Sequence, residues 1–284
     1  NVDECYQILM DFDLENNYQK AYFNNRFDCL GGLYNENDFE KYNKFEQECT
    51  DNEILVRIKL KKMHYYLHKK EYLAASGICD EILNIIDKKH PVYNDCLRLK
   101  ENIFKKTIGI KMCEVQVPDK PIAVGLTYRN TTNPTYKIYK FTSAEFFDLL
   151  INSNKDFYKS LENHELATSG TIEIPEENDL LEHSSLVALP PLKAGFYVLV
   201  FSNCENFDDE NNLKSIPFQV SNLTSFNLKS DGVMNIYTVN RETSQPMANV
   251  TAHIYKKTYS HKSKRYEKTD LFDVVSDKNG HLTY

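Results

Sequence analysis

The sequence predicts a multidomain chain, α first and then β: a helical-hairpin domain, then an antiparallel β-sandwich, then the start of a second sandwich. Three observations carry this. In the first third, apolar residues recur at i, i+3, i+4 and i+7, the spacing of one helix face. Near Thr107 the pattern changes to short β-branched and aromatic runs. Clusters of Asn, Asp, Gly and Pro separate those runs and mark tight turns. The expected domains are 1–106, with about six helices; 107–221, a sandwich with a helical insertion near 143–165; and 222–284, a truncated second β-domain.

The helices follow in order. Cys5, Ile8, Leu9 and Phe12 predict the first. A second is expected over 18–30, stopped by Gly31-Gly32. Phe39, Tyr42, Phe45 and Cys49 mark a third. Thr50-Asp51-Asn52-Glu53 has capping-box spacing ahead of Ile54, Leu55 and Ile58. Tyr72, Ala75, Cys79, Ile82, Leu83 and Ile86 form the cleanest stripe. Pro91 suits the first position of the next helix, which continues through Val92, Cys96, Leu99 and Ile103. No fixed 34-residue period repeats, so a regular tetratricopeptide array is not indicated.

Strands are expected at 122–128 and, after the Asn133-Pro134 turn, at 136–141. A helical interruption follows at Glu145, Phe146, Leu149 and Leu150, then Phe157, Tyr158 and Leu161. Strands resume at 171–174, 186–189 and 196–201, and 217–221 closes the unit. The second β unit is read as a strand at 233–239, a turn at 241–246 and a returning strand at 249–256. Asp277-Lys278-Asn279-Gly280 is a hairpin turn into a strand at the chain end. The abrupt start and finish lead us to expect an excised fragment.

Composition narrows the function. With 284 residues and 41% hydrophobic residues the chain is long enough for several cores. A net charge of −7 without a basic stripe argues against nucleic acid as a partner. No apolar run has membrane length and no signal peptide is present. The seven Cys, at 5, 29, 49, 79, 96, 113 and 204, form no CxxC pair and no zinc-ligand spacing. All seven are expected to be reduced, buried fillers.

Several motifs bear on chemistry. The acidic loop 205–211 offers oxygen ligands for calcium but lacks the EF-hand spacing and its glycine, so a solvated hairpin loop is expected. His64 and His68 stand i, i+4 on a helix, yet no Glu follows the first His as zincins require, and surface histidines are expected. Lys256, Lys257, His261, Lys262, Lys264 and Arg265 make a basic hairpin tip, read as a solvated edge that discourages strand pairing. Asn130, Asn222 and Asn249 head glycosylation sequons. No G-x-S-x-G nucleophile elbow occurs. Tyr65, Tyr66 and Tyr72 would line a groove if the helical hairpins left one, the plainer expectation being tyrosines half-buried between helices. No catalytic, cofactor or metal residue is assigned.

Three stretches together carry a resemblance. The first runs Val115-Gln116-Val117-Pro118, then Ala123-Val124-Gly125-Leu126-Thr127-Tyr128-Arg129-Asn130 and Tyr136-Lys137-Ile138-Tyr139. The second is Leu189-Pro190-Pro191-Leu192-Lys193-Ala194-Gly195-Phe196-Tyr197-Val198-Leu199-Val200. The third runs from Asn235 through Asn240-Arg241-Glu242-Thr243-Ser244-Gln245-Pro246 to Val250, with Asp277-Lys278-Asn279-Gly280 at a later turn. In this order they resemble the amino-terminal part of bacterial alpha-2-macroglobulin proteins, especially the Bacteroidetes type. The resemblance covers roughly residues 90–284, and the helical front fits the segment preceding these domains. Ser244-Gln245 stands where the family usually has Gly-Lys.

The resemblance implies macroglobulin-type, immunoglobulin-like sandwiches acting as a non-catalytic scaffold. The whole protein would be a protease-trapping endopeptidase inhibitor, exported to the periplasm or cell envelope. Its partners would be host or environmental endopeptidases, and membrane anchoring would belong to the parent chain. The alternative is a surface or periplasmic protein-binding module without trapping.

The family also raises a question about Cys113-Glu114-Val115-Gln116, because its internal thioester joins a Cys to a Gln three residues on. The family sequence is Cys-Gly-Glu-Gln, in a helical domain far downstream. Here no Gly eases the turn, and β-branched Val115 stiffens it. Cys113, Val115 and Val117 alternate with Glu114 and Gln116, so a strand with Cys113 packed inside the first sandwich is expected. A further reading, Cys113 as a nucleophile, needs a base beside it, with His164 and His183 as candidates.

Overall fold

Helices come first and antiparallel β-sheets follow. The computed structural model describes residues 16–152, 157–175, 177–203, 207 and 213–284, so the helix expected at Cys5–Phe12 and nearly all of the acidic loop 205–211 lie outside the described residues. The chain divides into two units. One comprises Asn1–Lys105 and Glu177–Leu181, the other Lys106–Glu176 and Glu182–Tyr284.

Five helices are described in the first unit: α1 Asn16–Leu30, α2 Glu36–Glu48, α3 Asn52–Lys69, α4 Tyr72–Ile85 and α5 Pro91–Phe104. Capping sets their starts. The Asn35 side chain accepts from Asp38 N at 3.0 Å, and His90 Nδ1 accepts from Val92 N at 3.2 Å with Pro91 next in line. At α3 the expected Thr50–Glu53 box is replaced by Asp51, whose Oδ1 accepts from Ile54 N at 3.0 Å. A carboxylate near the positive end of the helix is the better cap.

α3 is the central helix because it is apolar on two sides. Ile54 and Ile58 pack with Phe23, Phe27, Tyr42 and Phe45 of α1 and α2. Val56 and Met63 pack with Ala75, Cys79, Ile82 and Cys96 of α4 and α5. Ionic contacts brace the same helices. Lys59 pairs with Glu46 and Glu81, and Lys62 Nζ lies 2.5 Å from Glu46. Burial raises the Glu46 carboxyl, but hydrogen bonds from Lys59 and Lys62 hold it below its ordinary value overall.

The second unit opens with a sandwich of two sheets. β1 (Thr107–Lys111), β3 (Ile122–Arg129) and β6 (His183–Leu189) form one, in the order β1-β3-β6. The other contains β2 (Val115–Gln116), β8 (Leu213–Val220), β7 (Gly195–Ser202), β4 (Thr135–Phe141) and β5 (Glu165–Thr171), in the order β2-β8-β7-β4-β5. All pairings are antiparallel except β2 with β8, which is parallel. Val124, Leu126, Ile138, Leu199, Phe201 and Phe218 fill the space between the sheets. β5 lies before the expected 171–174 strand: a register shift at Ile138/Tyr139 lets Glu165–Thr171 pair with β4, and residues 172–175 are irregular.

The helical insertion explains the run Phe196-Tyr197-Val198-Leu199-Val200-Phe201. α6 (Ser143–Ile151), α7 (Phe157–Ser160) and a 3₁₀ turn at Leu161–Asn163 supply Phe146 and Leu161 to a second core with Val198 and Val200. Tyr197, Leu199 and Phe201 face the sandwich instead. β7 is therefore buried on both faces and reads as continuous apolar sequence rather than alternation. α6 starts with a full capping box between Thr142 and Glu145.

The remaining strands are β9 (Leu223–Ser230), β10 (Val233–Asn240), β11 (Thr251–Ser260), β12 (Arg265–Val275) and β13 (His281–Thr283). They form the sheet β13-β10-β9 and the hairpin β11-β12. The Asp277–Gly280 turn is seated against β10. Gly280 has φ +71, and a Cβ there would stand 2.3 Å from Thr238 O.

Candidate functional site

Cys113 lies exposed in the short turn between β1 and β2, not inside the sandwich. Period-two alternation failed here because the strand is only Val115–Gln116, and Met112, rather than Cys113, packs on the core. The Gln116 amide donates to Cys113 O at 2.9 Å, closing a local turn. Neither histidine considered as a base is placed beside it. His164 stacks on Phe141, with ring centroids 3.8 Å apart. Phe141 pairs with Phe196, Phe196 with Gln219 and Gln219 with Val115, so three strand spacings, roughly 14 Å, intervene. His183 pairs with Tyr128, whereas Lys111, next to the Cys113 turn, pairs with Gly125 three residues away along β3.

The other sequence candidates fall as follows. His64 and His68 are exposed, and His64 Nδ1 bonds its own helix at Leu60 O, 2.7 Å away. Tyr65 and Tyr66 are half-buried and cluster with Phe39, with centroid distances of 5.1 and 5.3 Å. Tyr72 is half-buried on α4. Of the sequon asparagines, Asn249 is exposed, and Asn222 keeps a buried Oδ1. Cys29 is exposed, like Cys113, so two of the cysteines are not fillers.

The basic residues of the β11–β12 tip are solvent-exposed, as expected, but one flank of the tip, Arg265-Tyr266, also contacts α6. Arg265 Nη2 lies 2.8 Å from Asp148 Oδ2 on α6. Asn152, the α6 C-cap, accepts from Tyr266 N at 2.9 Å and donates to Tyr266 O at 3.2 Å. One amide side chain thus satisfies both backbone groups of a strand residue. No sequence pattern announces this contact, because the partners are 114 residues apart.

The helical unit contains a cleft of about 560 Å³ between α1 and α3. Phe27 and Leu60 contribute apolar lining, and Asp28, Gly31, Arg57, Lys61 and His64 complete it. The Arg57 guanidinium sits 4.2 Å over the Phe27 ring, a cation–π contact. It is oriented by Asn24 Oδ1 at 2.7 Å and Asp28 Oδ1 at 3.2 Å. Arg57, Lys61 and His64 follow one another on one α3 face at i, i+4 and i+7. Two fixed cations against one carboxylate make this a positive spot on an acidic chain. The lining suits an apolar group with an anionic end, and among the described residues it includes no Ser, Thr or Cys. Tyr65, Tyr66 and Tyr72 are half-buried, which is the plainer of the two expectations for them, and the cleft lies at the basic i, i+4, i+7 row instead.

In the β unit, the turns of the three resembling stretches meet. Asp119 N donates to Leu192 O at 2.9 Å, and Lys193 Nζ lies 2.7 Å from Asp119 Oδ1. Lys120 pairs with Glu242, reaching the third stretch. Within the second stretch, the Tyr197 hydroxyl donates to Lys193 O at 2.9 Å. Within the third, Asn240 Oδ1 accepts from Glu242 N and Thr243 N, both at 3.0 Å. Ser244 holds φ +57, in the left-handed region where glycine is unstrained.

No family model and no curated protein matches the chain. Among solved structures it is similar to native alpha-2-macroglobulin from Escherichia coli spanning domains MG0-NIE-MG1, at 16% identity and TM-score 0.46 over 63% of this chain and 57% of that one. It is also similar to the same protein spanning domains NIE-MG1, at 15% identity and TM-score 0.45 over 63% and 86%. A third likeness is to a Salmonella alpha-2-macroglobulin mutant, at 16% identity and TM-score 0.39 over 63% and 10%. The chain thus spans 57% of the first of these structures and 10% of the third.

Proposed function

We propose that this chain is a non-catalytic scaffold segment of a larger, exported, alpha-2-macroglobulin-like protein that traps endopeptidases. One observation carries the reading. The three stretches that resemble the family are distant in sequence, yet their turns converge at Asp119, Lys120, Leu192, Lys193 and Glu242. In this reading the helical domain spans 1–106, a macroglobulin-type sandwich 107–221 and part of a second 222–284. The sandwiches are walls: alternating strand faces hold their shape, and chemistry enters only through the protease that is caught. The periplasm or cell envelope is the proposed compartment, and any membrane anchor belongs to the longer protein.

The test uses that longer protein. It is incubated with a general endoprotease, and cleavage of a large protein substrate is compared with cleavage of a small peptide. Lost activity on the large substrate with the small one still cut supports caging. Equal activity on both overturns it.

The cleft at Phe27, Arg57, Lys61 and His64 favours a second reading, a module that docks an acidic protein segment. An acidic peptide titrated into the chain then shifts the His64 ring proton resonances, and Lys61→Glu abolishes the shift. Unchanged His64 resonances at saturating peptide overturn it.

A further inference from the structure

Cys79 on α4 and Cys96 on α5 face one another in the core of the helical unit. Both are buried, at 0% and 1% exposure. They share one buried cluster with Met63, whose Sδ lies 3.4 Å from Cys79 Sγ, and each thiol perturbs the ionisation of the other. The two helices are consecutive, joined by the turn at Asp87, whose Oδ1 accepts from Lys89 N at 2.8 Å and His90 N at 3.1 Å. Ordinary filler cysteines need no such juxtaposition, since any small apolar side chain fills the same space. Cys49, buried in the neighbouring cluster, has no cysteine beside it among the described residues.

We propose that Cys79 and Cys96 are a disulfide-forming pair that staples α4 to α5. Both side chains belong to one buried cluster on consecutive helices, and a bond requires the sulfurs to close to about 2 Å. Each thiol loses its proton and together they give up two electrons. One S–S bond forms, and a small disulfide oxidant such as oxidised glutathione is reduced to two thiols. Exchange begins with a thiolate. In the docked hairpin, burial and the neighbouring Cys96 push the Cys79 thiol up to about 12, so thiolate is scarce at neutral pH. The bond therefore forms while the hairpin is still open, during folding, and the finished core then protects it.

The sulfur geometry is independent of the trapping reading; only the expectation that the bond is present in the cell rests on the exported compartment. The experiment uses the purified chain. It is unfolded with reductant, refolded in a glutathione redox buffer, capped with a maleimide, digested and mapped by mass. We expect a linked peptide pair holding Cys79 and Cys96, lighter by two hydrogens and separated by reductant. The folded, reduced chain in the same buffer should acquire it at least tenfold more slowly. The urea midpoint of the helical signal should be higher for the oxidised than for the reduced form. Cys79 and Cys96 capped to the same extent as Cys49, or Cys79 joined to another cysteine, overturns the assignment. An unchanged midpoint overturns the staple. The wild-type map needs no variant, and Cys96→Ala, whose fold is checked by circular dichroism, should lose the linked pair.

Discussion

Truncating Val200 tests the central claim about β7, that this strand is buried on both sides. Val200 and Leu199 are adjacent and both 0% exposed, yet they belong to different cores. Leu199 faces the sandwich; Val200 faces Phe146 and Leu161 of the helical insertion. In a strand with one wet face, one of two neighbours would tolerate alanine. Val200→Ala removes two methyl groups, about 1.6 kcal/mol of transfer free energy at ~0.8 kcal/mol each. The void left under the helices raises the expected cost to about 2–3 kcal/mol. Leu199→Ala should cost about 3–5 kcal/mol. At about 2–4 °C per kcal/mol for a unit of this size, Val200→Ala lowers the melting midpoint by roughly 5–10 °C. The chain has no Trp, so unfolding is followed by tyrosine fluorescence and far-ultraviolet circular dichroism. A double-mutant cycle with Phe146→Ala should be non-additive, because the two side chains share one cavity. Val200→Ala within about 0.5 kcal/mol of the parent, the range of a surface substitution, would refute the reasoning.

Three further outcomes are expected. Ser244→Gly should stabilise the chain by up to about 1 kcal/mol, since Ser244 sits at φ +57; a destabilised variant in urea titration would count against that strain. Glu46→Gln should destabilise the helical unit by about 2 kcal/mol, by stripping charge-assisted hydrogen bonds from Lys59 and buried Lys62. Because the folded Glu46 carboxyl is lowered, its stabilisation is complete above the unfolded glutamate pKa and is lost as pH falls through the folded value; the variant's stability should therefore fall less steeply below about pH 4. Finally, Cys113 and Cys29 should react with a maleimide in the folded chain without methylamine pretreatment, while Cys49 stays protected. A Cys113 that labels only after methylamine would restore the thioester.

Much of the architecture was legible. α2 through α5 announced themselves by apolar positions, α1 by its Gly31-Gly32 stop, and Pro91 marked the start of α5. β3, β4, β7 and β10 stood out as apolar or alternating runs. β9 and β12 did not. The sequences Leu-Thr-Ser-Phe-Asn-Leu-Lys-Ser and Arg-Tyr-Glu-Lys-Thr-Asp-Leu-Phe-Asp-Val-Val keep most side chains exposed, so each is a strand because its backbone pairs with β10 or β11. The Thr142–Glu145 capping box was written in plain spacing and marks where α6 begins. Tyr65 and Tyr66 pack around Phe39, in line with the expectation of half-buried tyrosines, and the cleft lies elsewhere, between α1 and α3.

The sequence by itself determined the order of helices before strands and the turns between them. These depend on residues within a few positions of one another, through helix period, strand alternation and backbone chirality. Only the tertiary structure decided that Cys113 is exposed, that Cys79 and Cys96 share one core, and that Asn152 takes both backbone groups of Tyr266. Those outcomes join groups from 17 to 114 residues apart, or depend on which neighbour wins a place in the core. They are set by chain packing as a whole, and no local period encodes which distant side chain will arrive.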